Sequence, residues 1–342
     1  MEDRLDIPPA TRTGADPATI LVAIPTLNEA KHIEATLDAL HRDRPEMADV
    51  KIVVADGGST DATRAIVADY AQRRPNVVLI DNPARLQSAA VNLVVERCAE
   101  PQHEILVRVD AHSRYPEGYV LSVADSLLAR DVAALATVMD TIGLSCVQKG
   151  VAWASDTKLG SGGSGHRGGA VSGYVDHGHH AGFRLDIWRR TGGYDTGFVA
   201  NEDAELDHRI GLAGGRIWLD ADIRLDYLAR DSLRKLARQY WRYGLGRGQN
   251  VLKHRLKPRL RQMIPPAVTA VNLLSVLLSP VFPPILLLPV IYLLILAATA
   301  THLAVTHRSV CALWAAPALF LMHNCFGAGF LTQLILRGRV AK

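Results

Sequence analysis

Charged residues are missing from a long part of this chain. Of its 342 residues 21% are charged, yet residues 264–306 contain no Asp, Glu, Lys or Arg. About 20 apolar residues span a bilayer as a helix, so this segment has room for two passes, with the proline-rich residues 279–284 as the turn. A further apolar run, 310–336, is long enough for another. Because neither run has the polar face of a helix on a soluble core, we predict a membrane region.

An apolar N-terminal segment and paired cysteines are lacking as well. The first 18 residues contain acids and prolines instead, unlike a secretory signal, so we expect the globular part to remain in the cytoplasm. The four cysteines, Cys98, Cys146, Cys311 and Cys325, show no paired spacing. They predict neither a disulfide framework nor a zinc knuckle.

Acidic residues are almost absent from residues 230–261, which contain eleven Lys and Arg residues and one acid, Asp231. A basic block directly before apolar spans fits the positive-inside rule and attraction to anionic lipids of the inner leaflet. Nucleic-acid binding is the alternative. We do not expect a nucleic-acid partner, because the adjoining segments are apolar and no nucleic-acid module is recognisable.

Strand and helix patterns alternate in the part before this block. Apolar, β-branched runs predict strands at 19–25, 50–55, 77–80 and 105–109. Between them, helical spacing predicts helices at 28–40, from a cap at Thr60 or Asp61 to about Tyr70, and at 86–98. Continuous apolar strands indicate an α/β fold with a parallel sheet covered on both faces. Ligands bind beyond the carboxyl ends of such strands, where Asn28, Asp56 and Asp110 lie.

Glycine and serine dominate residues 158–173, KLGSGGSGHRGGAVSG. We predict that this stretch lacks regular structure, as a mobile loop over a site or as a bare linker. Its Arg and His residues favour the loop over a site.

Four motifs follow one another along the chain: PTLNE (25–29), ADGGSTDAT (55–63), VDAH (109–112) and NEDAELDHRI (201–210). In this order and spacing they resemble family 2 glycosyltransferases of the GT-A fold, over about residues 20–243. The resemblance implies a GT-A nucleotide-sugar-binding domain, with a mostly parallel central sheet and helices on both faces, followed by an α-helical membrane region. The implied division is a flexible N-terminus (1–18), the catalytic domain (19–229), basic juxtamembrane helices (230–263), a membrane region of two or three helices (264–336) and a tail (337–342).

The resemblance also implies a nucleotide-sugar site. Its expected residues are Pro25, Asn28, Glu29, Asp56, Arg85 and Asp110. Asp56 matches the aspartate that accepts a hydrogen bond from the base, and a UDP-sugar is the expected donor. The family often has two aspartates before Gly-Ser, whereas this chain has Ala55-Asp56, so the identity of the base stays open.

Asp110 and His112 occupy the positions of the family's Asp-x-Asp motif, which implies that they bind a divalent cation. Such a cation neutralises the departing diphosphate. His112 replaces the usual second aspartate, and imidazole suits Mn²⁺ better than Mg²⁺. Polypeptide N-acetylgalactosaminyltransferases are similar in using Asp-x-His. The alternative is a surface histidine in a turn.

A second histidine cluster lies at residues 176–180, DHGHH. With no cysteine nearby it does not match a structural zinc site. We predict that His179 and His180 line the acceptor or diphosphate side of the cleft. One histidine of this cluster is a further candidate for the cation's coordination.

Glu202 and Asp203 match the family's catalytic acid pair, preceded by the turn Gly192-Gly193-Tyr194-Asp195. A carboxylate at the start of a helix can be held ionised by backbone amides. The resemblance implies that Asp203 is the base that deprotonates the acceptor hydroxyl, with Glu202 as its neighbour. The alternative is a helix-capping acid, a role that is compatible with catalysis.

The element Gln239-Tyr240-Trp241-Arg242-Tyr243 resembles the family's Gln-x-x-Arg-Trp element, with Tyr243 in place of Trp. By this match Gln239 and Arg242 contact the acceptor and the diphosphate. An amphipathic juxtamembrane helix with aromatic residues at the lipid interface is the alternative, and both can hold.

Within the family, DAHSRYP and the later HRGG and DHGHH segments are most similar to succinoglycan-type exopolysaccharide glucosyltransferases. This implies a membrane-associated inverting enzyme that moves a sugar, expected to be glucose, to a polyprenyl-diphosphate-linked oligosaccharide at the cytoplasmic face of the inner membrane. The alternatives are a polyprenyl-phosphate sugar synthase, a sugar nucleotidyltransferase and a non-catalytic nucleotide-sugar-binding membrane protein. Topology stays open, because three spans would put Arg337, Arg339 and Lys342 outside, whereas two would keep them inside.

Overall fold

The computed structural model describes residues 14–42, 44–162, 171–198 and 200–337. The chain divides into two compact units. The first comprises Met1–Met139, Gly169–Thr196 and Asp203–Asp226, and the second comprises Asp140–Gly168, Gly197–Glu202 and Tyr227–Lys342. The expected end of the catalytic domain, at residue 229, lies close to Asp226, the last residue of the first unit. Residues 140–168 and 197–202 also belong to the second unit, which no contiguous division of the sequence anticipates.

Strands and helices alternate along the first half of the chain. The strands are β1 (Ile20–Thr26), β2 (Lys51–Asp56), β3 (Val77–Asp81), β4 (Ile105–Arg108), β5 (Ser113–Arg114), β6 (Ala134–Ile142), β7 (Gly173–Val175), β8 (His179–Arg184) and β9 (Ile217–Leu228). The helices are α1 (Ile33–His41), α2 (Thr63–Arg73), α3 (Gln87–Cys98), α4 (Tyr119–Ala129), α5 (Cys146–Asp156), α6 (Lys158–Ser161), α7 (Leu185–Thr191), α8 (Glu202–Leu212), α9 (Leu233–His254), α10 (Leu260–Leu278), α11 (Leu287–Thr306) and α12 (Ala315–Arg337). Short 3₁₀ helices lie at Pro17–Thr19, Pro45–Ala48, Pro283–Leu286 and Val310–Trp314.

Among the described residues, nine strands form one sheet in the order β3-β2-β1-β4-β8-β6-β9-β5, with β7 beside β9. Strands β3, β2, β1 and β4 are parallel, and Val22 of β1 is opposite Ile52 of β2 and Val107 of β4. These strands are buried on both faces, because α3, α7 and α8 contribute to a core on one face while residues such as Val22 and Ile24 on the other are also fully buried. This half confirms the predicted parallel α/β sheet.

The second half of the sheet is antiparallel. Strand β8 runs antiparallel to both β4 and β6, and β7 runs antiparallel to β9. The fold is therefore a mixed sheet, in which the predicted parallel strands form one side. The sequence pattern missed this half because β8, HHAGFR, is short and carries polar histidines on a fully covered strand.

Three local predictions need correction. Helix α1 begins at Ile33 rather than Asn28, because the amides of residues 28–30 donate to side chains of the loop after β2 and of the first residue of α2. Helix α2 begins at Thr63 after Ala62, although Asp61 still accepts from the Thr63 amide. The Gly- and Ser-rich stretch includes helix α6 and the first residue of β7, so it is partly regular. Its residues 163–170, like residues 1–13 and 338–342, lie outside the described part of the chain.

Glycine allows the helices of the second unit to pack closely. A Cβ at Gly244 of α9 would overlap the carbonyl oxygen of Phe326 in α12, and one at Gly248 would lie 2.9 Å from the Gln333 side chain. A Cβ at Gly329 of α12 would in turn overlap the backbone of Trp241. Only glycine lets two helix backbones approach this closely.

A disulfide links Cys146, at the start of α5, to Cys311 in the 3₁₀ helix before α12. The prediction of no disulfide was wrong. The two cysteines are 165 residues apart, so no local spacing could have paired them. Cys98 and Cys325 are free thiols.

Three helical segments are long and apolar enough to cross a membrane: Leu260–Leu278, Pro283–Thr306 and Val310–Leu336. This agrees with the expected C-terminal helical membrane region. The three segments differ in burial. In each of the first two, 11% of the apolar stretch is buried against protein, and in the last 33% is buried.

Candidate active site

Two loops at the carboxyl ends of β1 and β2 are joined by side-chain hydrogen bonds. Asn28 has a positive φ of 59°, its amide donates to Ser59 Oγ at 2.8 Å, and its Oδ1 accepts from the Thr60 amide at 2.8 Å. The Glu29 amide donates to Thr63 Oγ1. These bonds bring the PTLNE and ADGGSTDAT motifs together, as predicted. Pro25 lies in β1 opposite Ala55.

Asp56 is the buried centre of this arrangement, at 1% exposure. Its carboxylate accepts hydrogen bonds from the amides of Gly58 and Ser59, from Ser59 Oγ and from Arg64 Nη1. Burial raises the pKa of Asp56, but hydrogen bonds from Ser59, Arg64 and Gly58 lower it to a net value below 3.8. A nucleobase could donate to the Asp56 carboxylate only in addition to these donors. The contact between Asp56 and a nucleobase therefore stays a prediction.

Arg64 is a residue that the sequence reasoning missed. Its Nη1 donates to Asp56 and also, at 2.6 Å, to Asp81, which ends β3 and is largely exposed. The predicted nucleotide residue Arg85 follows on the same sheet edge, exposed and with a positive φ of 57°. Arg64, Asp81 and Arg85 thus present charge where a nucleotide would enter beyond the parallel strands.

Asp110 follows β4, and three donors converge on one of its oxygens. Gln87 Nε2 donates to Oδ1 at 2.7 Å, and Arg108 Nε and Nη2 donate to the same atom at 3.2 Å. Burial raises the pKa of Asp110, but Arg108, His179 and His112 lower it to about 2. The carboxylate is therefore ionised at neutral pH, and an ionised carboxylate is a hard oxygen ligand that suits a divalent cation.

His112 lies two residues further on and is about one-third exposed. Its Nδ1 is 3.1 Å from Glu29 Oε1. A carboxylate that holds one ring nitrogen orients the other, which is the usual support for a metal-bound histidine. Ligation of a cation by His112 would therefore use Nε2, with Glu29 behind it.

A chain of buried hydrogen bonds starts at Arg108. Its Nη1 donates to the Tyr194 hydroxyl at 3.2 Å, and that hydroxyl is 3.1 Å from His180 Nδ1. His180 Nε2 is 2.5 Å from Asp207 Oδ1, and His177 Nδ1 is 2.7 Å from Asp207 Oδ2. Because an ionised carboxylate only accepts, both histidines donate to Asp207.

The loop that carries Tyr194 explains the GGYD turn. Asn92 of α3 accepts from the Tyr194 amide and donates to its carbonyl. Gly193 has a positive φ of 67°, and a Cβ there would lie 2.6 Å from Asn92 Oδ1, so only glycine fits. Arg209 of α8 donates to the carbonyls of Thr191 and Gly193. These contacts fix the Tyr194 ring inside the chain of hydrogen bonds.

Asp203 lies one helical turn before Asp207 on α8, so the two carboxylates share a face. Its Oδ1 accepts from the Ala204 amide at 2.7 Å, as expected for an acid at a helix start. Burial raises the pKa of Asp203, but His177, His180 and Arg108 lower it well below its ordinary value. Asp203 is thus an ionised, half-buried carboxylate near two histidines.

The two predicted acceptor histidines differ in their surroundings. His180 is 1% exposed, and both ring nitrogens are within hydrogen-bonding distance of Tyr194 and Asp207. It therefore supports Asp207 and does not line the cleft, which corrects its expected role. His179 is half-buried, and burial lowers its pKa to about 4, so it is neutral at pH 7 beside Asp110 and Asp203.

The remaining predicted residues belong to the second unit. Glu202 begins α8. Gln239 Nε2 donates to the hydroxyls of Tyr227 and Tyr243, and its Oε1 accepts from Arg230. Arg242 is exposed on α9. Asn201, with a positive φ of 61°, donates to the Tyr243 carbonyl, so α9 holds the loop that leads into α8.

Within the described residues, no three His, Cys, Asp or Glu side chains lie close enough together to hold a metal ion. The donors that fit a cation are the ionised Asp110 and the Glu29-oriented His112, a hard oxygen and an imidazole. Two protein ligands suit a cation that takes its other ligands from a diphosphate.

The sequence reasoning missed Arg108, Tyr194 and Asp207 as well as Arg64. An arginine inside an apolar strand, ILVRV, is a usable signal, because a buried charge needs a partner. Asp207 is one helical turn from Asp203, which is also visible in the sequence. Tyr194 carries no comparable signal, because its contacts come from a turn and a helix about 100 residues apart.

Comparison with known proteins places this geometry in a family. Residues 21–189 match the family described as Glycosyl transferase family 2. The chain is 41% identical over 325 residues to the succinoglycan biosynthesis protein ExoA of Rhizobium meliloti (strain 1021), covering 94% of this chain and 97% of that protein. It is 26% identical over 104 residues to the dolichyl-phosphate beta-glucosyltransferase ALG5A of Trichomonas vaginalis (strain ATCC PRA-98 / G3), covering 28% of this chain and 32% of that protein.

A solved structure shares the fold. The mannosyltransferase PcManGT from Pyrobaculum calidifontis, in complex with GDP-Man and Mn²⁺, matches with a TM-score of 0.59 at 20% identity, covering 97% of this chain and 91% of that one. The match agrees with a GT-A sheet followed by apolar helices. Together with 41% identity across 97% of a succinoglycan biosynthesis protein, the four ordered motifs and the strand-end carboxylates show that this chain belongs to family 2 of the glycosyltransferases.

Proposed function

We propose that this glycosyltransferase moves glucose from a nucleotide-sugar to a lipid-linked oligosaccharide in exopolysaccharide biosynthesis. The support for the pathway is the 41% identity to a succinoglycan biosynthesis protein over nearly its whole length. The observation that carries the chemistry is the buried hydrogen-bonded chain from Asp110 to Asp207, one turn from Asp203.

The reaction is a direct displacement with inversion. Asp203, ionised and held at the start of α8, takes the proton of the acceptor hydroxyl as that oxygen attacks the anomeric carbon. The bond from the anomeric carbon to the diphosphate oxygen breaks, and no covalent enzyme intermediate forms. Glu202 lies beside the base at the start of α8 and shapes the acceptor side.

Asp110 and His112 would hold a divalent cation, Mn²⁺ in preference to Mg²⁺. A bound cation neutralises charge on the departing diphosphate. The chain's own part is to keep Asp110 ionised through Gln87 and Arg108 and to orient His112 through Glu29. The Mn²⁺ in the PcManGT complex supports a cation at such a site.

A UDP-sugar is the proposed donor. Pro25, Asn28, Glu29 and Asp56 form the nucleotide side of the site, with Arg85 at its exposed edge. The loops that carry them are already cross-linked by hydrogen bonds, so little ordering is needed when the nucleotide binds.

The proposed acceptor is a polyprenyl-diphosphate-linked sugar. His179, which is neutral beside Asp110 and Asp203, is the proposed contact of its sugar. By the family match, Gln239 and Arg242 of α9 are the proposed contacts of its diphosphate. We place the enzyme at the inner membrane with the first unit in the cytoplasm, in line with the basic residues 230–261 before the apolar helices.

A second candidate is a polyprenyl-phosphate sugar synthase, whose acceptor is a bare lipid phosphate. The resemblance of 104 residues to a dolichyl-phosphate beta-glucosyltransferase favours it specifically. It differs from the first candidate only in the acceptor.

Membranes containing the enzyme test both candidates when they are incubated with radiolabelled nucleotide-sugars, with Mn²⁺, with Mg²⁺ or with a chelator. Label in a diphosphate-linked oligosaccharide supports the first candidate, and label in a lipid monophosphate supports the second. Asp203→Asn should abolish transfer, a loss of about 100-fold or more for a missing base, and leave nucleotide binding nearly unchanged. Asp186→Asn, at an exposed carboxylate in the first turn of α7, is the matched control. Retained turnover in Asp203→Asn would refute the assignment of the base.

A further inference from the structure

Three apolar helices follow α9, and their contacts show which of them can meet lipid. Helix α12 is the most enclosed of the three, with 33% of its apolar segment buried against 11% for each of the other two. Ala315, Ala318, Leu319, Met322 and Phe330 are at most 1% exposed. Among the described large apolar residues of α12, the exposed ones are Phe320, Ile335 and Leu336. A helix that crosses a bilayer on its own would expose an apolar surface all round.

The neighbours of α12 include a strongly basic helix. The backbone of Gly329 lies against Trp241 of α9, and Gly248 lies against Gln333. Arg242, next to Trp241, is exposed, as is Lys253. If this part of α12 lay in hydrocarbon, Arg242 would be there too, at about 2.5–3.5 kcal/mol for each such charge. Helix α12 therefore fits a position at the membrane surface, on the side of α9.

Helices α10 and α11 touch α12 with only parts of their lengths. Asn272 of α10 donates to Asn324 Oδ1 at 3.1 Å, and the Tyr292 hydroxyl of α11 is 3.1 Å from His323 Nδ1. Leu296, Ala300 and Leu303 of α11 pack in a core with α5 and α12. Residues 273–291, between Asn272 and Tyr292, form the remaining tip.

The tip has an exposed, continuous apolar surface. Val281 is 86% exposed, and the neighbouring large apolar residues of both arms are 39–63% exposed. No charged residue lies between positions 264 and 306. Such a continuous apolar surface is not stable in water and marks a partner. A bilayer fits, because the tip has no polar edge with which to recognise a protein.

Both ends of this pair of helices are attached to the segment that contains α5 and α6. Arg261, at the start of α10, donates to the carbonyl of Gly162 directly after α6. At the end of α11, the His307 ring stacks on Trp153 of α5 at 4.3 Å, and the disulfide joins Cys311 to Cys146. The two ends therefore lie on one side of any membrane that the tip enters.

The length of the tip decides how deep it reaches. Six residues of α10 extend beyond Asn272, which is about 9 Å of helix, followed by a short turn. The hydrocarbon core is about 30 Å thick, so an arm of this length enters one leaflet and cannot cross both. Basic residues flank it, with Lys257 and Arg259 before α10, Arg261 in its first turn and Arg308 after α11. These can remain among the lipid headgroups.

We propose that the second unit is anchored in one leaflet by a wedge, residues 273–291, and that none of the helices α1 to α12 crosses the bilayer. The inference rests on the membrane association proposed above and sharpens it. The proposal also predicts on which side of the membrane α12 ends. A surface-bound α12 would end at Arg337 on the same side of the membrane as α9.

Single added cysteines in the full chain test this in sealed membrane vesicles of both orientations, with an impermeant maleimide and the unaltered chain as background. Val281→Cys should react from neither face and only after detergent is added. Lys257→Cys, Val310→Cys and a cysteine appended after Lys342 should all react from one shared face. As a second measurement, Val281→Trp fluorescence should be quenched by lipids brominated along the acyl chain.

Each other pattern overturns the proposal in a specific way. Reaction of Val281→Cys from the face opposite to Val310→Cys would mean that α10 and α11 cross. Reaction of the appended cysteine from that opposite face would mean that α12 crosses. Reaction of Val281→Cys from the shared face, without quenching of the Val281→Trp variant, would mean that the tip is not in lipid. Labelling does not depend on turnover, so failure here and failure of the proposed transferase activity are separate results.

Discussion

The two compact units hold their parts in place by different means. The first unit buries charge, and Arg108, His180 and Asp207 are each tied to a partner by at least one hydrogen bond. The second unit relies on glycines that bring helix backbones together. There, Asn250 is 1% exposed, and its side-chain amide has no hydrogen-bond partner among the described residues. The difference teaches that directional bonds place the reacting groups, whereas close packing of apolar helices holds the scaffold.

Replacing the buried Arg108 should destabilise the first unit more than any other change considered below. Arg108→Met leaves Asp110 without its charged partner, and an uncompensated buried charge costs about 3–5 kcal/mol. We expect a fall of that size in the free energy of unfolding, together with loss of transfer. Chemical denaturation of the purified enzyme measures it. The control is Arg97→Met, on an exposed part of α3. Equal stability of the two variants would show that Arg108 is not needed to balance Asp110.

Acid should destabilise the first unit through His179. Its pKa is lowered from 6.5 to about 4 in the folded protein, so the unfolded chain binds the extra proton more readily. The stability from neutral His179 is therefore complete above pH 6.5 and is lost as the pH falls towards 4. A shift of this size corresponds to about 3 kcal/mol in full. Unfolding measured from pH 7 to pH 4 should show this loss for the unaltered enzyme and a smaller one for His179→Gln. Parallel curves would contradict it.

The second unit should be sensitive to added volume. Gly244→Ala places a methyl group against the backbone of Phe326, and overpacking of this kind costs about 1–3 kcal/mol. Gly211→Ala, in a helix where a Cβ meets nothing within 4 Å, should be neutral or stabilising. Thermal unfolding in detergent compares the two. If both variants behave alike, close packing of α9 on α12 does not matter for stability.

The smallest expected effect falls on turnover alone. Asp207→Asn keeps the size of the side chain but cannot accept from both histidines with full charge, so His177 and His180 lose their orientation. We expect kcat to fall about 10- to 100-fold, as for other supporting partners in active sites, with little change in KM. Steady-state kinetics at several pH values measure it. The control Asp220→Asn changes a carboxylate on β9 that is bonded to Ser126. A rise in KM without a fall in kcat would assign Asp207 to acceptor binding instead.

Much of the fold could be predicted because its signals are local. Apolar, β-branched runs marked β1 to β4 within a residue or two at each end. The charge-free residues 264–306 marked the apolar helices. Strand β8 could not be found in this way, because its histidines are covered only when β4 and β6 pair with it. The disulfide between Cys146 and Cys311 was missed for the same reason, since its partners meet only after the second unit has folded.

The candidate site divides in a similar way. Residue type and order predict Asp110, His112 and Asp203 as site residues, because polar residues at the carboxyl ends of strands in an α/β sheet lie at one edge. The pairings among side chains did not follow from the sequence. Asp56 is enclosed by its own loop, and His180 supports Asp207 and does not line the cleft.

The sequence by itself determined which elements form, where the polar residues stand at their ends, and that the C-terminal part is apolar. These follow from periodicity and composition, which act over a few neighbouring residues. The tertiary structure alone decided that Tyr194 connects Arg108 to His180, that both ends of the α10–α11 pair attach to α5 and α6, and that α12 is enclosed. Each of these joins residues far apart in the chain, and such contacts depend on packing and burial that no local pattern encodes.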